Sequence, residues 1–115
     1  MADEVSKETI EKVYEAIEIA KASGKIKKGV NETTKTIERG TAKLVAIAKD
    51  INPPEIVMHI PLLAKDKGVP CVQVDTKEEL GSAAGITIGS SAVSVIQEGD
   101  AKKLIEEIKK IVLKE

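Results

Sequence analysis

Lys43-Leu44-Val45-Ala46-Ile47-Ala48 is a nearly continuous apolar run, and its reading decides the fold. A strand with one face in water would alternate apolar and polar residues, so a short run without a polar face suits a strand covered on both sides. Such a strand needs helices on either face of a sheet. The flanking sequence supplies them.

Toward the N-terminus, Ile10, Val13, Tyr14, Ile17 and Ala20 fall at helical spacing, with Glu11, Glu15 and Glu18 opposite, so residues 7 to 22 read as an amphipathic helix. Ser23-Gly24 supplies a stop, and Lys25 to Lys28 read as a short strand around Ile26. Gly29 then turns the chain into a second helix over about residues 31 to 39 that ends at Gly40.

Toward the C-terminus, Asp50-Ile51-Asn52-Pro53-Pro54 leads into a helix whose first turn tolerates the prolines. Ile56, Ile60 and Leu63 form its buried stripe, Pro61 predicts a kink or a restart, and Gly68 closes it. Val69 to Val74 reads as a strand, and Thr76-Lys77-Glu78-Glu79 has the capping-box pattern of a short helix running through Leu80 and Gly81. Ala92 to Ile96 reads as a strand, followed by a last helix starting at Gly99-Asp100. The order αβαβαβαβα argues for an α/β/α domain, although strand order cannot be read from it.

At 115 residues the chain is read as one domain spanning 1–115, long enough for one core. Apolar residues make up 42%, and Tyr14 is the only aromatic, so folds that stack bases on aromatic platforms are excluded. The net charge of -1 argues against a generic polyanion binder, but the average hides a division. Residues 1 to 20 carry net -4 and residues 50 to 115 net -3, whereas residues 21 to 49 carry net +6. Cys71 is the only cysteine and His59 the only imidazole, so neither an intrachain disulfide nor a metal site is expected. Without a candidate membrane span or signal segment, a cytosolic protein is expected.

Enzyme signatures are missing. Gly24-Lys25 lacks the upstream glycine of a phosphate loop, and Gly81, Gly85 and Gly89 follow a helix rather than a strand. His59 has no serine or cysteine at an activating spacing, Cys71 reads as a small core residue, and Glu78-Glu79 and Glu106-Glu107 read as solvated faces. No cofactor is expected.

Two stretches ask for more than folding. In Lys27-Lys28-Gly29-Val30-Asn31-Glu32-Thr33-Thr34-Lys35, the plain reading has Asn31 capping a helix, Glu32 favouring its positive end, and Lys35 and Arg39 as surface charges. That leaves the clustering of lysines unexplained. A helix start among lysines suits phosphate, yet Glu32 would repel it; a carboxylate there makes sense if it accepts hydrogen bonds from a base edge while lysines hold the backbone. Guanine offers such donors, and its edge becomes reachable where sheared pairs open the groove beside a bend. The second stretch, Gly85-Ile86-Thr87-Ile88-Gly89-Ser90-Ser91, is a glycine- and serine-rich loop with apolar residues in a place where burial is hard to arrange.

Gly29-Val30-Asn31-Glu32-Thr33-Thr34-Lys35, continuing to Glu38-Arg39-Gly40, closely resembles the kink-turn RNA-binding signature of the archaeal large-subunit ribosomal protein family L-seven-Ae. The resemblance extends through Ala48-Lys49-Asp50, Pro53-Pro54-Glu55-Ile56, His59-Ile60-Pro61-Leu62-Leu63, Asp66-Lys67-Gly68-Val69-Pro70, and Leu80-Gly81 to Gly85. It implies a three-layer α/β/α sandwich with a central four-stranded mixed sheet, and a non-enzymatic protein that binds kink-turns in ribosomal RNA, in box C/D and H/ACA guide RNAs, and in RNase P RNA.

Carried over by motif, Asn31, Glu32 and Lys35 would read the guanines of sheared pairs, with Lys28, Gly29 and Arg39 supporting the backbone approach. Lys77 would contact the extruded nucleotide or a nearby phosphate, and Asn52 stands where some relatives place an acid on that base. Ile86, Thr87 and Ile88 occupy the specificity loop, which is more polar in eukaryotic spliceosomal relatives. Partner ribonucleoprotein core proteins are implied, and a monomer is expected when the protein is free. Two alternatives stay open: a protein-interaction scaffold docking through the Ile86-Ile88 loop, and a small-ligand enzyme of α/β type.

Overall fold

The computed structural model describes residues 7–50 and 55–113, with the side chains of residues 55–57 outside that description. Helix α1 spans Lys7–Ser23, strand β1 Lys25–Lys28, helix α2 Val30–Glu38, and strand β2 Leu44–Ala48. Helix α3 (Glu55–Lys67), strand β3 (Cys71–Val74), helix α4 (Lys77–Ala83), strand β4 (Ala92–Gln97) and helix α5 (Lys102–Leu113) complete the chain. The strands form one mixed sheet in the order β1-β4-β2-β3. Strand β4 runs antiparallel to both β1 and β2, whereas β3 runs parallel to β2.

The apolar run behaves as its composition requires, since every residue of β2 is buried. Leu44, Ala46 and Ala48 join a core with Val13 and Ile17 of α1, Leu80 of α4 and Ile105 and Ile108 of α5. Val45 and Ile47 face the other way, onto Ile37 of α2 and Ile60 and Ala64 of α3. The three layers follow from this period-two division. Each fully buried Leu44 or Ile47 side chain contributes about 1.5–3 kcal/mol of transfer free energy, and together the two faces clamp the strand.

Several details differ from the sequence reading. Helix α2 begins at Val30, one residue early, because Gly29 itself is the N-cap. Strand β3 begins at Cys71 because the Val69 amide donates to Ala64 O at 2.9 Å, which spends Val69 on closing α3. Pro61 does not restart α3, which runs continuously through it while Ile60 and Ala64 pack on the sheet; that burial offsets the lost backbone bond. The last helix is preceded by a 3-10 turn at Gly99–Ala101, so α5 itself begins at Lys102.

The topology fixes what meets at one end of the sheet. Because β2 and β3 are parallel, both finish there; because β4 is antiparallel to β2 and β1 to β4, β4 starts there and β1 finishes there. Hydrogen bonds tie these points: Gly29 N to Ala92 O at 2.7 Å, Ala48 N to Ser91 O at 3.0 Å and Lys49 N to Val74 O at 3.0 Å. The start of α2, the end of β2, the start of α4 and the 85–91 loop are thereby gathered on one surface.

Candidate nucleic-acid interface

Helix α2 presents an uncapped N-terminus. Gly29 adopts φ 99 and ψ 157 and offers no side-chain acceptor, so the first-turn amides of α2 keep free donors. That backbone region belongs essentially to glycine, and a Cβ added at Gly29 would meet nothing within 4 Å. Glycine is thus required by conformation, and the space in front of it is open to an approaching ligand.

Asn31 is not the cap that the plain reading made it. It occupies the second helical position, is exposed, and makes no side-chain hydrogen bond to another described residue. Among the described residues nothing engages its carboxamide, which carries two donors and an acceptor. Glu32 lies one position on, with its carboxylate 3.8 Å from the Lys35 ammonium, and the two side chains are about half exposed (47% and 55%). Lys28, at the end of β1, is exposed beside them in sequence.

The opposite side of α2 holds it in place. Thr33, Thr36 and Ile37 are buried, and Thr36 Oγ1 donates to Thr33 O at 2.8 Å and lies 3.0 Å from Ser94 Oγ of β4. Thr34 Oγ1 donates to Val30 O at 2.8 Å and lies 2.9 Å from His59 Nε2 of α3. This contact ties α3 to α2 near its start.

Arg39 is not brought to the helix start. It is the C-cap residue of α2, roughly 15 Å along the axis from Gly29 at 1.5 Å per residue, although the four-residue spacing keeps it on the stripe of Asn31 and Lys35. Asn52 lies outside the described residues.

Helix α4 and the loop after it form the second part of the surface. Thr76 Oγ1 accepts from Glu79 N at 3.1 Å, the capping geometry that the sequence pattern predicts. Lys77 follows as the first helical residue and is exposed. Its backbone N–H donates to Asp50 Oδ1 at 2.8 Å, and its carbonyl accepts from Ser90 N at 2.9 Å. The loop is seated closely: a Cβ on Gly81 would stand 2.4 Å from Ile88 O, and one on Gly89 would stand 2.8 Å from Lys77 Cγ.

The two loop isoleucines are not equivalent. Ile88 is 75% exposed, Thr87 is exposed, and Ile86 is half-buried. An isoleucine this exposed on a loop braced by backbone contacts is an apolar contact held out to solvent.

Sequence reasoning passed over Asp50 and Ser90 as contributors to this surface. Asp50 carried a usable signal, an acid closing a buried strand, but its partner Lys77 lies 27 residues on. Elsewhere, burial pushes the Cys71 thiol up to about 12, which keeps it protonated and poorly nucleophilic. Among the described residues no group of His, Cys, Asp and Glu could hold a metal ion, and no helix is long and apolar enough to cross a membrane.

A model of the ribosomal protein L7Ae/L30e/S12e/Gadd45 family matches residues 11–105. Among solved structures, the Giardia lamblia 15.5kD RNA binding protein superposes with a TM-score of 0.90 at 32% sequence identity, over 96% of this chain and 92% of that chain. With its mixed four-stranded sheet between two helical layers and a match over most of its length, the chain belongs to the ribosomal protein L7Ae/L30e/S12e/Gadd45 family.

Proposed function

We propose that this protein is a non-enzymatic RNA-binding protein that recognises and stabilises kink-turns. The observation that carries the reading is the start of α2, without a side-chain cap, where an exposed Asn31 carboxamide that bonds to no other described residue and the Glu32 carboxylate stand together among lysines. Phosphate alone would not select a carboxylate there. A guanine edge does, because its imino and amino donors match carboxylate acceptors, while Lys28 and Lys35 hold nearby phosphates. The Giardia lamblia structure to which this chain is similar is of a protein named as RNA-binding.

The second contact would come from the loop. Ile88, with Thr87 and the half-buried Ile86, would cover the unstacked base at the bend, and Lys77 would meet the extruded nucleotide or its phosphate. Arg39 would contribute as a distant phosphate contact on the same stripe. Client RNAs of this kind occur in ribosomal RNA, in box C/D and H/ACA guide RNAs and in RNase P RNA. By binding only the bent form, the protein would shift the RNA population toward it and present a platform to ribonucleoprotein core proteins. It would act as a cytoplasmic monomer when free.

The test is binding of the intact protein and of Glu32→Ala to a kink-turn RNA and to a straight duplex of matched length. Preference for the kinked RNA, with a loss of about 1–3 kcal/mol on Glu32→Ala, is expected for one specific base contact. Tighter binding after Glu32→Ala would indicate plain phosphate attraction and defeat the reading. The exposure of Ile88 favours one other reading, a scaffold that docks a protein through this loop. Equal affinity for both RNAs would support it.

A further inference from the structure

We propose that Asp50 is a positioning residue for the RNA-contacting surface: it sets both Lys77 and the Ile86-Ile88 loop without itself touching RNA. This rests on the RNA-binding reading above. An exposed carboxylate on a surface meant for a polyanion weakens binding by repulsion unless it has another role. Asp50 has one. Its Oδ1 accepts the backbone N–H of Lys77 at 2.8 Å, a charge-assisted bond reaching from the end of β2 to the first residue of α4.

The effect of that bond extends past Lys77. The carbonyl of the same residue accepts from Ser90 N at 2.9 Å, and its Cγ is the atom that a Cβ on Gly89 would meet at 2.8 Å. Asp50, the Lys77 peptide groups and the loop backbone therefore form one chain of contacts. Thr76 Oγ1 serves the Glu79 amide at 3.1 Å, and Asp50 is the side chain that meets the Lys77 amide. Without the carboxylate, the Lys77 amide turns to water, and the anchor of the loop loosens with it.

The sign of the effect separates this role from incidental charge. Removing a repulsive carboxylate tightens RNA binding, whereas removing a positioning one weakens it. Asp50→Ala, Asp50→Asn and the unaltered protein are compared for binding to a kink-turn RNA, and amide hydrogen exchange at Lys77 and Ser90 is measured without RNA. Asp50→Ala should bind about tenfold more weakly and exchange both amides faster. Asp50→Asn, which keeps the acceptor oxygen, should recover most of both. In a Lys77→Ala/Ile88→Ala background, Asp50→Ala should change affinity by less than about twofold.

Equal or tighter binding by Asp50→Ala, an undiminished loss in the doubly substituted background, or unchanged exchange at Ser90 would overturn the proposal. Indifference of the unaltered protein to the kink would instead overturn the RNA reading, with the exchange measurement still deciding whether Asp50 holds the loop. The thermal midpoint of each variant confirms folding.

Discussion

The Glu32 carboxylate lies 3.8 Å from the Lys35 ammonium, one helical turn apart at the uncapped start of α2. At that distance and exposure the pair contributes about 0.2–0.5 kcal/mol, so the protein loses little when either partner turns to a ligand. Thermal unfolding of Glu32→Ala and Lys35→Ala should shift by no more than about 2 °C for a chain of this size. Their RNA affinities should fall well beyond that. A large drop in midpoint would place Glu32 in the folding of α2 instead of on its binding surface.

Gly29 should not tolerate a side chain, for a reason unconnected with crowding. A Cβ would meet nothing within 4 Å, yet φ of 99 is a conformation that L-residues rarely adopt. Gly29→Ala should cost about 1–3 kcal/mol of stability, measured by urea unfolding. A neutral result would mean that the backbone turn relaxes freely.

For the loop, the two isoleucines should separate. Ile88→Asp should leave the unfolding midpoint nearly unchanged, because the side chain is 75% exposed, and should impair RNA binding. Ile86→Asp should lower both, because Ile86 is half-buried. Identical stability effects of the two changes would contradict the loop geometry.

Tyr14 sets a pH dependence. Burial, reinforced by the negative charge of Glu79 and offset in part by backbone hydrogen bonds, pushes its phenol from 10.0 up to about 12. Below pH 10 neither folded nor unfolded chain ionises it. Between there and about 12 the unfolded chain releases the proton and the folded chain holds it, so stability declines as pH rises. Urea midpoints of Tyr14→Phe should fall less steeply over that window than those of the unaltered protein.

Much of the fold was legible because the signals are local. The doubly apolar run at Leu44–Ala48, the capping box at Thr76 and the helical stripe of α1 each follow from interactions within one element and the layer above it. The plain reading of Asn31 as a cap differs from the reading of Asn31 as a base contact only in where the helix starts; with Gly29 as the N-cap two positions earlier, its side chain is not spent on the helix backbone. Ile86 and Ile88 were indistinguishable in sequence. The folded loop, seated closely against Gly81 and Lys77, leaves Ile86 half-buried and Ile88 exposed.

The layered α/β class, the local positive charge between residues 21 and 49, and the uncommon pairing of a carboxylate with lysines at Glu32 are all legible without coordinates. These rest on composition and short-range periodicity. The tertiary structure alone decided the order β1-β4-β2-β3, and with it the meeting of Gly29, Asp50, Lys77 and Ile88 at one end of the sheet while Arg39 stands at the far end of its helix. Strand pairing depends on contacts between residues far apart in the chain, whose energies no local pattern records.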